Sequence, residues 1–137
     1  MSVGTMPEST LRIMLVEDDR LHAFLAMRAL DQALPGRSVL HFEDGEEVLA
    51  YLEEQGLPEE DGAMPLLLLD LKMCRVGGLE VLRHIRSQDI PQPPVVILTT
   101  SDNPAEREEA MALGANDFFT KPLDDDKLAR IGELLEQ

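Results

Sequence analysis

Leu66-Leu67-Leu68-Leu69-Asp70 is the stretch that decides the fold. An unbroken apolar run of this length, with Met64-Pro65 before it and Gly77-Gly78 after it, predicts a strand that is buried on both faces. Strands of this kind are typical of parallel sheets that are covered by helices. In open sheets of that type, ligands bind beyond the carboxyl ends of the strands, which is where Asp70 falls.

Composition restricts the class of protein. The chain has 137 residues, which is typical of one domain, and we expect a disordered tail over residues 1–10 and a folded domain over residues 11–137. A net charge of −15 argues against binding to nucleic acid or to anionic membranes. The start of the chain lacks the apolar core of a signal peptide, and no apolar run approaches the ~20 residues of a membrane span. We therefore expect a cytoplasmic protein whose partners are other proteins.

The remaining chain alternates between strand and helix patterns. The first predicted helix has apolar residues at three- and four-residue spacings, at Leu21, Phe24, Leu25, Leu30 and Leu34. The predicted strands cover residues 12–16, 38–42, 66–70, 95–99 and 117–120, and the predicted helices cover about 20–34, 45–55, 79–86, 104–113 and 124–135. Five strands that alternate with five helices predict an α/β fold, a doubly wound parallel sheet.

Polar side chains follow four of these strands where each one ends: Glu17 and Asp18, then Asp70, Thr99 and Lys121. Taken singly, such residues are usually helix caps, β-formers or surface lysines. Their coincidence at one edge favours a site, because clustered carboxylates repel one another unless a cation compensates. Mg²⁺ binds one or two carboxylates together with waters and phosphate oxygens. With the lysine as a second positive charge, the pattern predicts phosphoryl transfer to Asp70 as the nucleophile.

The pattern Val16-Glu17-Asp18, Asp70, Leu98-Thr99 and Lys121-Pro122 resembles the receiver domain of two-component response regulators. The resemblance covers about residues 11–135. It implies the flavodoxin-like strand order 2-1-3-4-5, Mg²⁺ as cofactor, a sensor histidine kinase as phosphodonor and a cis peptide bond before Pro122.

The resemblance also assigns a role to each matching position. The metal site would comprise the phosphoacceptor, the backbone carbonyl two residues beyond the phosphoacceptor, and both acids of the pair. Of that pair, Asp18 would be the direct ligand. The acceptor chemistry would use a hydroxyl and a lysine, and the switch would pair that hydroxyl with an aromatic ring. These roles fall on Glu17, Asp18, Asp70 and Lys72 for the metal, on Asp70, Thr99 and Lys121 for the chemistry, and on Thr99 and Phe118 for the switch.

Three positions depart from the family pattern. Glu17 stands where the family often has aspartate, Cys74 where it usually has proline, and Phe118 where it often has tyrosine. Cys74 is the only cysteine, which excludes an internal disulfide, and its glycine-flanked loop leads us to expect a thiol accessible to maleimide. None of the three changes touches the phosphoryl chemistry directly.

We expect the receiver to pass its signal to a partner through its own surface. The sequence ends directly after the fifth predicted helix, so we expect a stand-alone regulator without an effector domain. The resemblance implies a homodimer through the fourth helix, fifth strand and fifth helix; a monomer that docks only when phosphorylated is the alternative. Residues 56–62, 98–101 and 116–119 resemble small regulators that are partnered with bacterial phytochrome kinases.

Three other functions remain open. A degenerate receiver could serve as a binding module that does not depend on phosphorylation. A phosphatase with an aspartate nucleophile requires a second acid two residues further on, where this chain has Lys72. A flavin or nucleotide carrier requires a glycine-rich loop after the first strand, where Glu17-Asp18-Asp19 would repel a phosphate group.

Overall fold

The computed structural model describes residues 12–58, 64–73 and 75–136. Its five strands are all parallel and lie in the order β2-β1-β3-β4-β5, which confirms the predicted order. The strands are β1 (Arg12–Val16), β2 (Ser38–Phe42), β3 (Leu66–Asp70), β4 (Val95–Thr99) and β5 (Asp117–Thr120). The helices are α1 (Arg20–Ala33), α2 (Gly45–Gln55), α3 (Gly78–Arg86), α4 (Pro104–Ala112) and α5 (Asp125–Leu135). The predicted tail and Cys74 lie outside the described residues, so the accessibility of that thiol stays a prediction.

The central strand β3 is buried along its whole length, as its continuous apolar sequence predicts. Successive side chains of a strand point to opposite faces of the sheet, so β3 contributes to two separate cores. Leu66 and Leu68 pack on the face that α1 and α5 cover, whereas Leu67 and Leu69 pack with α2, α3 and α4. Because helices cover both faces, a site must lie at an end of the strands, and in folds of this type it lies at the carboxyl ends.

Local contacts fix where the helices begin. The side chains of Asp19, Asp44, Asn103 and Asp124 each accept a hydrogen bond from a backbone N–H in the first turn of the next helix. Such caps satisfy N–H groups that have no partner inside the helix. At the start of α3, a Cβ on Gly78 would collide with the carbonyl oxygen of Asp70. Glycine at this position therefore lets α3 begin directly against the end of β3.

The apolar pattern in α1 corresponds only in part to its buried face. Leu21, Phe24 and Leu25 are 63%, 58% and 50% exposed. The helix buries Leu30 from the predicted pattern together with Ala23 and Ala26, which are not part of it, against the sheet and α5. Small alanine side chains allow the helix to lie close to the sheet, and that orientation turns the larger side chains outward. Among the helices that the structure describes, none is long and apolar enough to cross a membrane.

Candidate functional site

Three carboxylates meet at the carboxyl edge of the sheet. Val16 pairs with Leu69 in the β1–β3 register, so the residues that follow β1 lie beside Asp70 at the end of β3. One carboxylate oxygen from each of Glu17, Asp18 and Asp70 lies within 4.8 Å of the other two. Glu17 and Asp70 are buried and Asp18 is half-buried. The structure therefore brings together the three acids that the sequence predicts to meet.

Lys121 follows β5, and its side chain extends along the carboxyl edge of the sheet toward the acids. Its backbone N–H donates to the carbonyl oxygen of Thr99 at 2.7 Å, and its peptide bond to Pro122 is cis, as predicted. The side chain reaches the acids, with Nζ 2.5 Å from Oε1 of Glu17 and 3.8 Å from Oδ1 of Asp70. The lysine therefore provides one positive charge among three carboxylates.

Backbone contacts hold Glu17 in place. Its Oε2 accepts a hydrogen bond from the backbone N–H of Asp19 at 3.0 Å, and Nε2 of His41 lies 2.8 Å from its carbonyl oxygen. Its own N–H donates to the carbonyl oxygen of Phe42 on β2. The carboxylate is therefore oriented by β1, β2 and the start of α1 together.

The electrostatics of the cluster favour a cation. Burial raises the pKa of Asp70 to about 7, and the negative charge of Glu17 adds to that effect, while Lys121 opposes it. A carboxyl group with a raised pKa among like charges gains most from a second positive charge. Three carboxylates are oxygen donors of the type that Mg²⁺ prefers. The donor set thus fits Mg²⁺.

The side chain of Lys72 points to α4. It lies in the loop after β3 and is 69% exposed, with Nζ 3.5 Å from Oε2 of Glu106. Its backbone carbonyl as a metal ligand stays a prediction.

The predicted switch residues are both buried. Thr99 is 1% exposed, and its Oγ1 accepts a hydrogen bond from the backbone N–H of Ser101 at 3.1 Å. Phe118 is 3% exposed. The guanidinium group of Arg107 lies 5.7 Å from the centre of the Phe118 ring, and its Nη1 donates to the Phe118 carbonyl oxygen at 3.0 Å. The ring therefore occupies an inward position that α4 covers.

A family model described as response regulator receiver domain matches residues 13–132. The chain belongs to this family. As a receiver domain, it is 36% identical over 127 residues to the transcriptional regulatory protein CpxR of Klebsiella pneumoniae. That match covers 92% of this chain and 50% of CpxR, so the receiver spans half the length of that relative.

Solved structures of receivers support the same assignment. The bacteriophytochrome response regulator AtBRR is 32% identical, with a TM-score of 0.76 and coverage of 93% of this chain and 94% of the other. The phosphorylated cyanobacterial phytochrome response regulator RcpA is 33% identical, with a TM-score of 0.72 and coverage of 90% and 89%. The receiver is thus similar to regulators whose names associate them with phytochromes.

Sequence reasoning missed two neighbours of the site. Nδ1 of His22 lies 3.0 Å from Nζ of Lys121, and Arg107 covers the ring of Phe118. Neither residue belongs to a motif of this receiver pattern. The only available signal was position, since His22 lies in the first turn of a helix that begins at the carboxyl end of β1.

Proposed function

We propose that this receiver accepts a phosphoryl group from a sensor histidine kinase on Asp70. One observation carries the proposal: a buried carboxylate lies beside two further acids and 3.8 Å from a lysine ammonium group at the open edge of the sheet. Phosphoryl transfer requires little covalent chemistry from a protein beyond positioning and neutralisation of charge. Glu17, Asp18, Asp70 and Lys121 supply these requirements together.

In the proposed reaction, a carboxylate oxygen of Asp70 forms a bond to phosphorus while the phosphorus–nitrogen bond of a phosphohistidine breaks. The electron pair of that bond remains on the imidazole of the kinase. Lys121 donates to a phosphoryl oxygen, and the hydroxyl of Thr99 donates to another. Glu17, Asp18, Asp70 and the carbonyl oxygen of Lys72 would hold Mg²⁺, which when bound neutralises negative charge on the phosphoryl group.

The proposed output lies on the surface of α4, β5 and α5. Thr99 would exchange its contact with the Ser101 N–H for a phosphoryl oxygen, which moves the end of β4. Phe118 lies on the neighbouring strand and packs under Arg107 of α4, so a shift at Thr99 reaches α4 through the ring. A packing element with two positions, biased by one charge-assisted hydrogen bond, is sufficient for a switch. This face is also the proposed homodimer surface.

The proposed kinase is a bacterial phytochrome. The similarity to AtBRR and RcpA, both named for phytochromes, supports this choice of partner.

The decisive experiment is incubation of the purified chain with Mg²⁺ and acetyl phosphate, followed by intact-mass measurement. We expect an adduct of about 80 Da, one phosphoryl group, that is lost at alkaline pH. Asp70→Asn should abolish the adduct, because an amide cannot form the acyl phosphate. Asp102→Asn is a matched control, since this exposed aspartate also lies near the carboxyl edge. Absence of the adduct on the unsubstituted chain would leave the phosphorylation-independent binding module as the function.

A further inference from the structure

His22 makes a direct contact with the phosphate-binding lysine. Its Nδ1 lies 3.0 Å from Nζ of Lys121, although the two residues are 99 positions apart in the chain. A lysine ammonium group has three donor hydrogens and no acceptor. In the tautomer with its proton on Nε2, Nδ1 accepts a hydrogen bond from the ammonium group.

Among the side chains that the structure describes, three lie beside the ammonium group of Lys121, and two of them belong to the proposed metal and acceptor sites. Glu17 is 2.5 Å from the ammonium group and belongs to the metal site, while Asp70 is 3.8 Å away and becomes the acyl phosphate. His22 belongs neither to the metal site nor to the acceptor. Of these three contacts, that with His22 comes from a residue outside the proposed metal and acceptor sites.

The backbone of His22 is fixed at the start of α1. Its backbone N–H donates to Oδ1 of Asp19 at 3.1 Å, which caps α1. Ala23 and Ala26, in the same part of the helix, are buried against the sheet. The imidazole therefore projects from a fixed helix end, whereas the lysine side chain it contacts has four rotatable carbon–carbon bonds and reaches from the opposite side of the site.

We propose that His22 is a positioning residue that keeps the ammonium group of Lys121 beside Asp70 throughout phosphoryl transfer. The inference rests on the proposed function, because it requires Asp70 to be the acceptor. His22 does not touch the phosphoryl group and acts through the lysine. Without this contact, Glu17 is the remaining close partner of the ammonium group, which can then turn away from Asp70, so transfer slows once the donor is bound, while donor binding is unchanged.

The test compares His22→Ala and His22→Asn with the unsubstituted chain, with Mg²⁺ and increasing acetyl phosphate. We expect His22→Ala to lower the rate constant at saturating donor about tenfold, less than the roughly 100-fold that a misplacement of about 1 Å can produce. The donor concentration at half-saturation should not change. In His22→Asn, Oδ1 lies near the former place of Nδ1 and can accept from the ammonium group, so this variant should recover most of the rate. His84→Ala, an exposed histidine in the last turn of α3, is the matched control.

A spectroscopic measurement separates positioning from a general structural effect. Beryllofluoride with Mg²⁺ mimics the bound phosphoryl group, and the ¹⁹F resonance of the fluorine that faces Lys121 reports the ammonium contact. This resonance should shift in His22→Ala and return in His22→Asn. An unchanged or faster saturating rate in His22→Ala would overturn the inference and leave the proposed function intact, as would an equal loss in both variants. A chain without substitutions that takes up no phosphoryl group would overturn both.

Discussion

At the scale of single residues, Asp70 combines two properties that oppose each other in the metal-free protein. In the proposed function the carboxyl group must be ionised to accept a phosphoryl group, but burial and Glu17 raise its pKa to about 7. Between about pH 4 and pH 7, the folded state therefore binds more protons than the unfolded state. The contribution of Asp70 to the free energy of unfolding falls as the pH rises through this window and is constant above it.

Asp70→Asn should therefore stabilise the metal-free protein at pH 8. We expect a gain on the order of 1–4 kcal/mol, from about 1.4 kcal/mol for each unit of pKa shift, and a smaller gain at pH 5. Urea denaturation at both pH values measures the difference. Saturating Mg²⁺ at pH 8 should reduce it, because the cation stabilises the ionised carboxylate. A variant that is less stable than the unsubstituted chain at pH 8 would contradict the raised pKa.

Lys72 is expected to affect the lifetime of the phosphoryl group rather than its uptake. Its ammonium group is exposed although Glu106 is half-buried, and a pair with one solvent-exposed partner contributes about 1 kcal/mol, so the ammonium group can leave Glu106 for a phosphoryl oxygen. Lys72→Ala should shorten the lifetime by up to about fivefold, the equivalent of roughly 1 kcal/mol. Decay of the adduct after removal of acetyl phosphate gives this number.

Arg83→Ala is the control for that experiment. Arg83 also forms an ion pair with α4, through the exposed Glu109 at 3.9 Å, but it lies on α3, away from the acceptor loop. Equal lifetimes of the adduct in Lys72→Ala and Arg83→Ala would show that the side chain of Lys72 does not act on the phosphoryl group.

At the scale of elements, α1 shows which face of a helix contributes to stability. Leu30 is buried against the sheet, whereas Phe24 is 58% exposed. Leu30→Ala should lower the free energy of unfolding by about 2–5 kcal/mol, because it removes buried methyl groups and leaves a cavity. Phe24→Ala should change it by less than about 0.5 kcal/mol, since the ring contributes little to the core. Urea denaturation of the two variants tests the orientation of α1, and a larger loss in Phe24→Ala would reverse it.

The same helix shows why the sequence predicts some features better than others. The strand bounds follow directly from the sequence because β3 and β4 are short apolar runs that are buried on both faces. The helix ends follow from caps such as Asp19 and Asn103. Periodicity could not orient α1, because it counts every apolar residue, and the buried face uses alanines whose size, rather than hydrophobicity, suits them to it.

The sequence likewise predicts some features of the site and not others. Strand ends in a parallel sheet must converge, so the meeting of Glu17, Asp18, Asp70 and Lys121 was predictable. Contacts between side chains on different elements depend on rotamers and helix rotation, which the sequence pattern does not encode. The contact between His22 and Lys121 and the ion pair of Lys72 with Glu106 belong to this second class.

At the scale of the whole molecule, we expect a homodimer through α4, β5 and α5. Met111 on α4 is 41% exposed and provides apolar surface on this face. The dimer should be partly populated without phosphorylation, because Phe118 has no hydroxyl group that would favour an outward ring. Beryllofluoride with Mg²⁺ should increase the dimer fraction, as measured by light scattering after gel filtration.

A pair of charged substitutions locates the interface. Met111→Asp should shift the protein toward monomer, because it places a charge in the proposed apolar contact. Leu21→Asp, at a residue that is 63% exposed on α1, is the matched control and should leave the dimer fraction unchanged. A strict monomer at every concentration, with and without beryllofluoride, would favour a receiver that docks on its partner as a monomer.

The covered ring of Phe118 limits how much a stimulus can increase the fraction of active molecules. Arg107 holds the ring inward through a cation–π contact and a hydrogen bond to its carbonyl oxygen, and the chain makes both contacts by itself. The larger the resting fraction of molecules in the active arrangement, the smaller the increase that any stimulus can add. The same fraction lowers the conformational free energy that phosphorylation must supply. In the proposed switch, where the inward ring is the active arrangement, we therefore expect Arg107 to make the receiver respond to weaker phosphodonors at the expense of a higher basal output.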